Sequence, residues 1–216
     1  MITLYTILGS AGTAPRIVLD LCGAHYETIT VERDDDGNNV APAGYDELNP
    51  TGKVPTLVDG DLVLTEAAAC ALYVAAQHPE AGLMPAVNTR DGALTLRWLI
   101  FLTNTVQVCF LRRYYPDEYT ADRAGTDAVQ RSAEAQLAAL AAILADVIGD
   151  GPFLVGESMT VADCFLAMLT GWGEDLSGAA RWSSNATLAR HYNNVAAVET
   201  AGAALVAEGF PASFSV

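Results

Sequence analysis

The feature that most constrains the fold is a change of sequence periodicity near residue 77. Short alternating, β-rich segments and single helical patterns fill the first 77 residues, whereas only helical patterns follow from Thr89 onward. Strands have to pair in a sheet, while a segment without strands buries its apolar surface helix on helix. The sequence therefore predicts an α/β domain at residues 1–78 and an all-α helical bundle at residues 89–216. Two prolines and a glycine mark residues 79–88 as a linker.

The first domain is predicted to begin with a strand–helix–strand unit. Residues 2–7 and 26–31 alternate as strands, and residues 14–21 are helical with Thr13 as the expected N-cap. A crossover of this kind is right-handed and joins parallel strands.

A hairpin and a helix are predicted to complete this domain. Residues 55–58 and 62–64 flank an Asp59-Gly60 turn, and a helix is expected from Thr65 to about Gln77. The order is βαβ followed by ββα. In the second domain the helical patterns fall at residues 94–110, about 122–148, 160–172, 187–193 and 196–208. Thr160 and Asp163 are spaced as a capping box.

Composition limits the classes of partner. The chain is 51% hydrophobic and 17% charged, which predicts a packed core, and its formal net charge of -15 repels nucleic-acid phosphates and acidic membrane surfaces. The N-terminus has no basic segment of the secretory type, and no stretch of about 18 uninterrupted apolar residues is present. We expect a cytoplasmic protein with a small-molecule ligand. The cysteines form no CxxC pair, so we expect free buried thiols and no metal site.

Lys53, the only lysine of the chain, directly precedes Val54-Pro55. Proline restricts Val54 to an extended conformation and removes one backbone donor. A cis bond, which occurs in about 5–6% of such linkages, would bend the chain and leave the Val54 N–H and C=O unpaired by the sheet.

Taken together, these patterns resemble the cytosolic glutathione transferases along the whole chain. The element order, the Thr-Gly-Lys-Val-Pro segment before the third strand, the Leu-Thr-Glu-Ala segment before the next helix and the helical second half carry the resemblance. The bacterial beta class is the most similar. The residues that point to it are Ala14-Pro15 with Ile17-Val18-Leu19, Leu64-Thr65-Glu66 and Ala207-Glu208-Gly209-Phe210.

This resemblance implies a thioredoxin-like first domain that binds glutathione as a cosubstrate. A cis Pro55 would present the Val54 backbone to the cysteinyl part of the tripeptide. The γ-glutamyl carboxylate would lie on the helix N-terminus, where Thr65, Glu66 and Ala67 offer N–H groups, and Glu66 would take the ligand's ammonium group. Many members have serine after the glutamate, so Ala67 keeps only the backbone donor.

Lys53 would add positive charge for a ligand carboxylate. Each of these residues also has a purely structural interpretation. Pro55 is compatible with a trans strand-start proline, Lys53 with a solvated side chain, and Glu66 with a first helical turn that favours acidic residues.

The group that activates the thiol is the open question. Beta-class members carry a cysteine after the first strand and a histidine in the second domain, and alignment on Ala14-Pro15 places Ala11 and Gln107 at those positions. Ser10 is the next candidate and Thr13 its rival. The backbone N–H groups beside them are a further source of hydrogen bonds.

The resemblance places a small apolar electrophile between the two domains, beside Ala11 and the helix that carries Asn104, Gln107 and Val108. We therefore expect a homodimeric enzyme that transfers the thiol of glutathione to this electrophile. Because two polar groups of the beta class are missing, a non-catalytic glutathione- or ligand-binding member is the alternative, and an interaction module on the same fold is a weaker one.

Overall fold

The computed structural model describes residues 1–33, 39–176 and 178–215. It contains two compact units. Unit 1 comprises Met1–Met84 together with Ala196–Ala212, and unit 2 comprises Pro85–Val195 together with the C-terminal residues from Ser213. The C-terminal helix therefore belongs to unit 1, although it follows the helical segment in the sequence.

Unit 1 is built on a four-stranded mixed sheet. Its described strands are β1 (Ile2–Thr6), β2 (Tyr26–Thr30), β3 (Glu32–Arg33), β4 (Asn39–Val40), β5 (Thr56–Asp59) and β6 (Leu62–Thr65). The sheet order is β2-β1-β5-β6, with β1 parallel to β2 and antiparallel to β5, and β5 antiparallel to β6. This order confirms the predicted thioredoxin-like βαβ-ββα arrangement. The short antiparallel pair β3–β4 was not predicted, because its sequence is mostly polar.

The helices of unit 1 are α1 (Thr13–Leu21), α2 (Tyr45–Leu48), α3 (Ala67–Gln77) and α9 (Glu199–Ala207). The apolar residues Ile17, Val18 and Leu19 of α1 are completely buried. The predicted N-cap at Thr13 is wrong, because Gly12 occupies that position and Thr13 is the first helical residue. The predicted start of α3 at Thr65 is also wrong, since Thr65 still pairs with Thr56 in the sheet.

Unit 2 is helical, as predicted. Its main helices are α4 (Arg90–Phe101), α5 (Val108–Tyr114), α6 (Thr126–Ile148), α7 (Val161–Trp172) and α8 (Ala186–Ala196). A π-helical segment, Leu102–Gln107, joins α4 to α5, so the single helix predicted at residues 94–110 is longer and locally wider. The run Arg90–Tyr114 is long and apolar enough to cross a membrane by length and composition alone, and 39% of its most apolar window is buried within the fold.

Helix α7 forms the centre of unit 2, with Val161 to Leu169 buried and the predicted capping box confirmed at its start. The Asp163 carboxylate accepts hydrogen bonds from the Thr160 backbone N–H and hydroxyl, each at 2.8 Å. It also accepts from the Leu154 N–H at 2.8 Å and lies 2.9 Å from His191 Nε2. These contacts hold the start of the helix, while the buried Nδ1 of His191 has no partner among the described residues.

Candidate functional site

The strand register brings three loops of unit 1 to one end of the sheet. Tyr5 of β1 and Thr65 of β6 both lie opposite Thr56 of β5. The turn that follows β1, the segment that precedes β5 and the residues that follow β6 consequently emerge side by side. The predicted glutathione-binding residues and Ser10 lie on these three segments.

The Val54-Pro55 peptide bond is cis, as the glutathione-binding interpretation requires. Val54 is half-buried, and its N–H and C=O make no hydrogen bond to any other residue in the described ranges. Pro55 is buried behind it. One donor and one acceptor of the main chain are thus available at this edge, in the spacing of a short strand-like pairing.

A buried polar network holds the main chain directly ahead of Val54. The Lys53 carbonyl accepts from the Tyr45 hydroxyl at 2.6 Å and from Asn49 Nδ2 at 2.7 Å, while the Lys53 side chain is exposed. The buried Thr56 hydroxyl lies 2.9 Å from the Tyr45 hydroxyl and accepts from Asn49 Nδ2 at 3.2 Å. Burial raises the pKa of Tyr45, so its hydroxyl stays protonated and able to donate.

Sequence reasoning missed the roles of Tyr45 and Asn49. The available signal was the Asn49-Pro50-Thr51-Gly52 segment, because asparagine side chains often hydrogen-bond the backbone two residues on. Asn49 Oδ1 does so, accepting from the Thr51 N–H at 3.1 Å and from its hydroxyl at 2.7 Å.

Glu66 connects β6 to α3 in an unusual backbone conformation. Its φ of 68° makes it the only non-glycine residue with positive φ in the described part of the chain, and its side chain is exposed. Such conformations persist at a cost of about 1–3 kcal/mol and occur frequently at ligand sites. The N–H groups of Ala67, Ala68 and Ala69 find no acceptor among the described residues, so the start of α3 presents unpaired donors beside an acidic side chain.

Ser10 lies half-buried in the turn between β1 and α1. Its hydroxyl oxygen accepts from the Gly12 N–H at 3.2 Å and the Ile7 N–H at 3.4 Å, and lies 3.3 Å from the Thr6 hydroxyl. Since both amides donate, the hydroxyl proton of Ser10 is left to point to Thr6 or to a ligand. A side chain at Gly12 would meet Thr6 Oγ1 at 1.9 Å, which explains the glycine there.

The Thr13 hydroxyl is engaged within unit 1. Thr13 is completely buried, and its hydroxyl donates to the Glu208 carboxylate at 3.1 Å. The same carboxylate accepts from the Gly9 N–H at 2.9 Å and from Arg16 Nη1 at 2.7 Å. Burial acts to lower the pKa of Arg16, but the hydrogen bond and charge of Glu208 outweigh it and raise that pKa. The catalytic role assigned to Thr13 stays a prediction, with its hydroxyl already engaged.

The residues assigned to the electrophile lie in both units. Ala11 of unit 1 is half-buried beside Ser10. In unit 2, Asn104 is exposed in the π-helical segment, and Gln107 and Val108 are half-buried where that segment meets α5. Asn104 and Gln107 belong to the π-helical segment and Val108 is the first residue of α5, so one short stretch of this helix carries all three.

The thiols of this chain are free. Cys70, Cys109 and Cys164 are buried, as predicted, and Cys22 is half-buried. Burial raises the pKa of Cys70 to about 12 and that of Cys22 to about 11, the latter helped by the charge of Glu80. These are protonated, unreactive thiols at neutral pH. In the ranges that the structure describes, no group of three or more His, Cys, Asp and Glu side chains is placed to hold a metal ion.

Two family models cover nearly the whole chain. The glutathione S-transferase N-terminal domain matches residues 1–76, and the glutathione S-transferase C-terminal domain matches residues 74–199. The chain belongs to the glutathione S-transferase family. The family resemblance stated from the sequence is thus confirmed.

Relatives within this family have different names. The stringent starvation protein A homolog of Pasteurella multocida is 31% identical over 192 residues, which cover 87% of this chain and 83% of that protein. A glutathione transferase homolog from Sulfitobacter, solved with bound glutathione, has 25% identity and a TM-score of 0.84, covering 98% of this chain and 99% of that one. The beta-class glutathione S-transferase of Sphingomonas chungbukensis has 26% identity and a TM-score of 0.79, covering 96% and 98%.

For this member of the glutathione S-transferase family, the resemblance to the beta class predicts departures at two positions. Ala11 and Gln107 occupy the places where the sequence alignment expects cysteine and histidine. Ser10 remains the side-chain candidate in the turn before α1, with a hydroxyl proton that points to Thr6 or to a ligand.

Proposed function

We propose that this protein binds glutathione along one end of the unit 1 sheet and activates its thiol for attack on a small apolar electrophile. The observation that carries the proposal concerns the main-chain groups at Val54 and at the start of α3. They have no hydrogen-bond partner among the described residues, and they share this end of the sheet with Ser10. A tripeptide offers the complementary main-chain groups, an ammonium group and two carboxylates.

Each part of the ligand has an assigned partner. The Val54 N–H and C=O pair with the cysteinyl residue, and the unpaired amides from Ala67 onward receive the γ-glutamyl carboxylate. Glu66 binds the ammonium group. Lys53 provides positive charge for a carboxylate in a protein of formal net charge -15.

Ser10 is the proposed activator of the thiol. A thiol titrates near 8.5 in water, and its thiolate is the nucleophile. A hydrogen bond to a charged group contributes about 1.5–3 kcal/mol, and about 1.4 kcal/mol corresponds to one pKa unit. One hydroxyl held by two backbone amides is therefore sufficient to bring the sulfur close to half ionised at neutral pH.

A small apolar electrophile is the second substrate of the proposed reaction. We assign it to Ala11 in unit 1 and to Asn104, Gln107 and Val108 in unit 2, with substitution or addition as the reaction. We propose that the protein acts as a cytoplasmic homodimer, because members of the family are usually homodimeric.

The test combines binding, thiol ionisation and turnover. Calorimetry with glutathione is expected to give a dissociation constant below about 1 mM, with the thiolate absorbance of the complex rising at a pH below that of free glutathione. Ser10→Ala is expected to keep the glutathione affinity within about threefold of wild type. The same variant is expected to reduce the thiolate population at pH 7, and the turnover of an aromatic halide, by at least about tenfold each. No binding at millimolar glutathione, or an unchanged thiol pKa in Ser10→Ala, would remove the proposal.

A non-catalytic glutathione-binding protein is the second candidate. It is favoured by Ala11 and Gln107, which lack the polar groups expected there, and by the likeness to a stringent starvation protein A homolog. Binding of glutathione with neither thiolate absorbance nor turnover in the wild-type protein would select this alternative.

A further inference from the structure

The turn that carries Ser10 is anchored by a carboxylate from near the other end of the chain. Glu208 follows α9 and is 2% exposed. One carboxylate oxygen accepts from the Gly9 N–H and the Thr13 hydroxyl, and the other accepts from Arg16. Gly9 and Thr13 flank Ser10 on both sides.

The position of this carboxylate is fixed by its own helix. The Glu208 N–H donates to the Ala204 carbonyl at 3.0 Å, and the Phe210 N–H donates to the Leu205 carbonyl at 3.0 Å, which closes the end of α9. Ala204 and Leu205 are buried as well. A buried carboxylate needs all its donors, so Glu208 and the turn can only move together.

The turn transmits this anchoring to the Ser10 hydroxyl. The Ser10 carbonyl accepts from the Thr13 N–H at 3.1 Å, and the Ser10 hydroxyl oxygen accepts from the Gly12 N–H at 3.2 Å. A displacement of Gly9 or Thr13 therefore changes where the hydroxyl points. Hydrogen bonds weaken steeply with misalignment, so a small displacement is enough to affect a bond to sulfur.

We propose that Glu208 is a positioning residue that holds the turn at residues 9–13 so that the Ser10 hydroxyl meets the sulfur of bound glutathione. The inference rests on the proposed function, because it requires glutathione in unit 1. Glu208 makes no contact with the ligand. It acts on the reaction solely through Ser10.

A double-mutant cycle on the full-length protein tests this coupling. Glu208→Gln keeps the shape of the side chain and removes its charge, and it is combined with Ser10→Ala. Glu199→Gln is the matched control, since it removes the same charge from an exposed glutamate at the start of α9. Each variant is checked for folding by circular dichroism, and the readout is the pKa of the thiol of bound glutathione together with its binding affinity.

Glu208→Gln is expected to lower the ionisation constant of the bound thiol about threefold to tenfold, which raises its pKa by up to about one unit. The glutathione affinity is expected to stay within about twofold of wild type. Glu199→Gln is expected to change neither. In the Ser10→Ala background Glu208→Gln should add less than about a twofold effect, because the group through which it acts is gone. A purely structural role would weaken affinity in both backgrounds alike.

The inference is overturned if Glu208→Gln leaves the thiol pKa unchanged while Ser10→Ala raises it, or if the Glu208 effect is equal in both backgrounds. If wild-type protein binds no glutathione, or Ser10→Ala has no effect on the thiol, the proposed function fails first and the inference falls with it. Should Glu208→Gln not fold, Glu208→Asp serves instead. It keeps the charge but retracts the carboxylate, and it is expected to raise the thiol pKa in the Ser10 protein alone.

Discussion

At the scale of single residues, the site depends on groups that the fold leaves unpaired or strained. Among the described residues, the Val54 main chain and the first amides of α3 have no hydrogen-bond partner, and Glu66 adopts a φ of 68°. These features weaken the fold when no ligand is present. Their concentration at one end of a sheet is the physical reason for assigning a ligand there.

Glu66 is predicted to lower the stability of the fold while it strengthens glutathione binding. Glu66→Gly removes the positive-φ strain and is expected to raise the free energy of unfolding by about 1 kcal/mol, while it weakens glutathione binding about tenfold or more through the lost carboxylate. Urea unfolding and calorimetry measure the two effects.

Glu66→Ala is the matched control for this substitution. It loses the carboxylate but keeps a Cβ at positive φ, so binding should weaken to a similar degree with no gain in stability. Equal binding by all three proteins would contradict the role of Glu66 in recognition.

At the scale of elements, the first turn of α7 stabilises unit 2 without taking part in chemistry. Thr160→Val removes the hydroxyl that donates to Asp163 and is expected to lower the free energy of unfolding by about 1 kcal/mol. Asp163→Asn leaves four donors around a neutral side chain and should cost about 3 kcal/mol or more. Urea titration checks both values.

Thr160→Ser retains the hydroxyl and serves as the control for the capping bond. Glutathione affinity should be unchanged in the two Thr160 variants, because the proposed site lies in unit 1. A Thr160→Val protein as stable as wild type would show that the capping bond contributes nothing.

The sequence predicted elements whose pattern is local and missed contacts between distant segments. The βαβ-ββα order followed from alternation, turn residues and helix periodicity. Thr13 was assigned as an N-cap because threonine is common there, but a partner 195 positions away in the sequence, Glu208, takes its hydroxyl instead. The anchoring network of Tyr45 and Asn49 spans only 4 to 11 positions, and the turn segment at residues 49–52 signals part of it. Its burial follows from tertiary packing that no periodicity reports.

At the scale of the whole molecule, the buried thiols link stability to alkaline pH. The pKa of Cys70 is raised to about 12 by burial, from an ordinary value near 9. The unfolded chain releases this proton at lower pH than the folded one, so the stabilising effect of the neutral thiol is complete below about pH 9 and is lost as pH rises from there to about 12.

The free energy of unfolding is therefore predicted to fall more steeply above pH 9 in wild type than in Cys70→Ala. Urea titrations at several pH values between about 8 and 10.5 measure the two slopes. The comparison between the slopes matters, because Cys70→Ala also lowers stability at every pH by leaving a small cavity. Parallel slopes would contradict the assignment.

The central claim is that the main chain at Val54 and the hydroxyl of Ser10 together receive one glutathione molecule. A crystal structure of the protein soaked with glutathione tests it most directly. We predict the cysteinyl N–H and C=O paired with Val54 and the sulfur within hydrogen-bond distance of Ser10 Oγ. Glutathione bound elsewhere, or a sulfur whose nearest donor is Thr13 or another group, would contradict the claim.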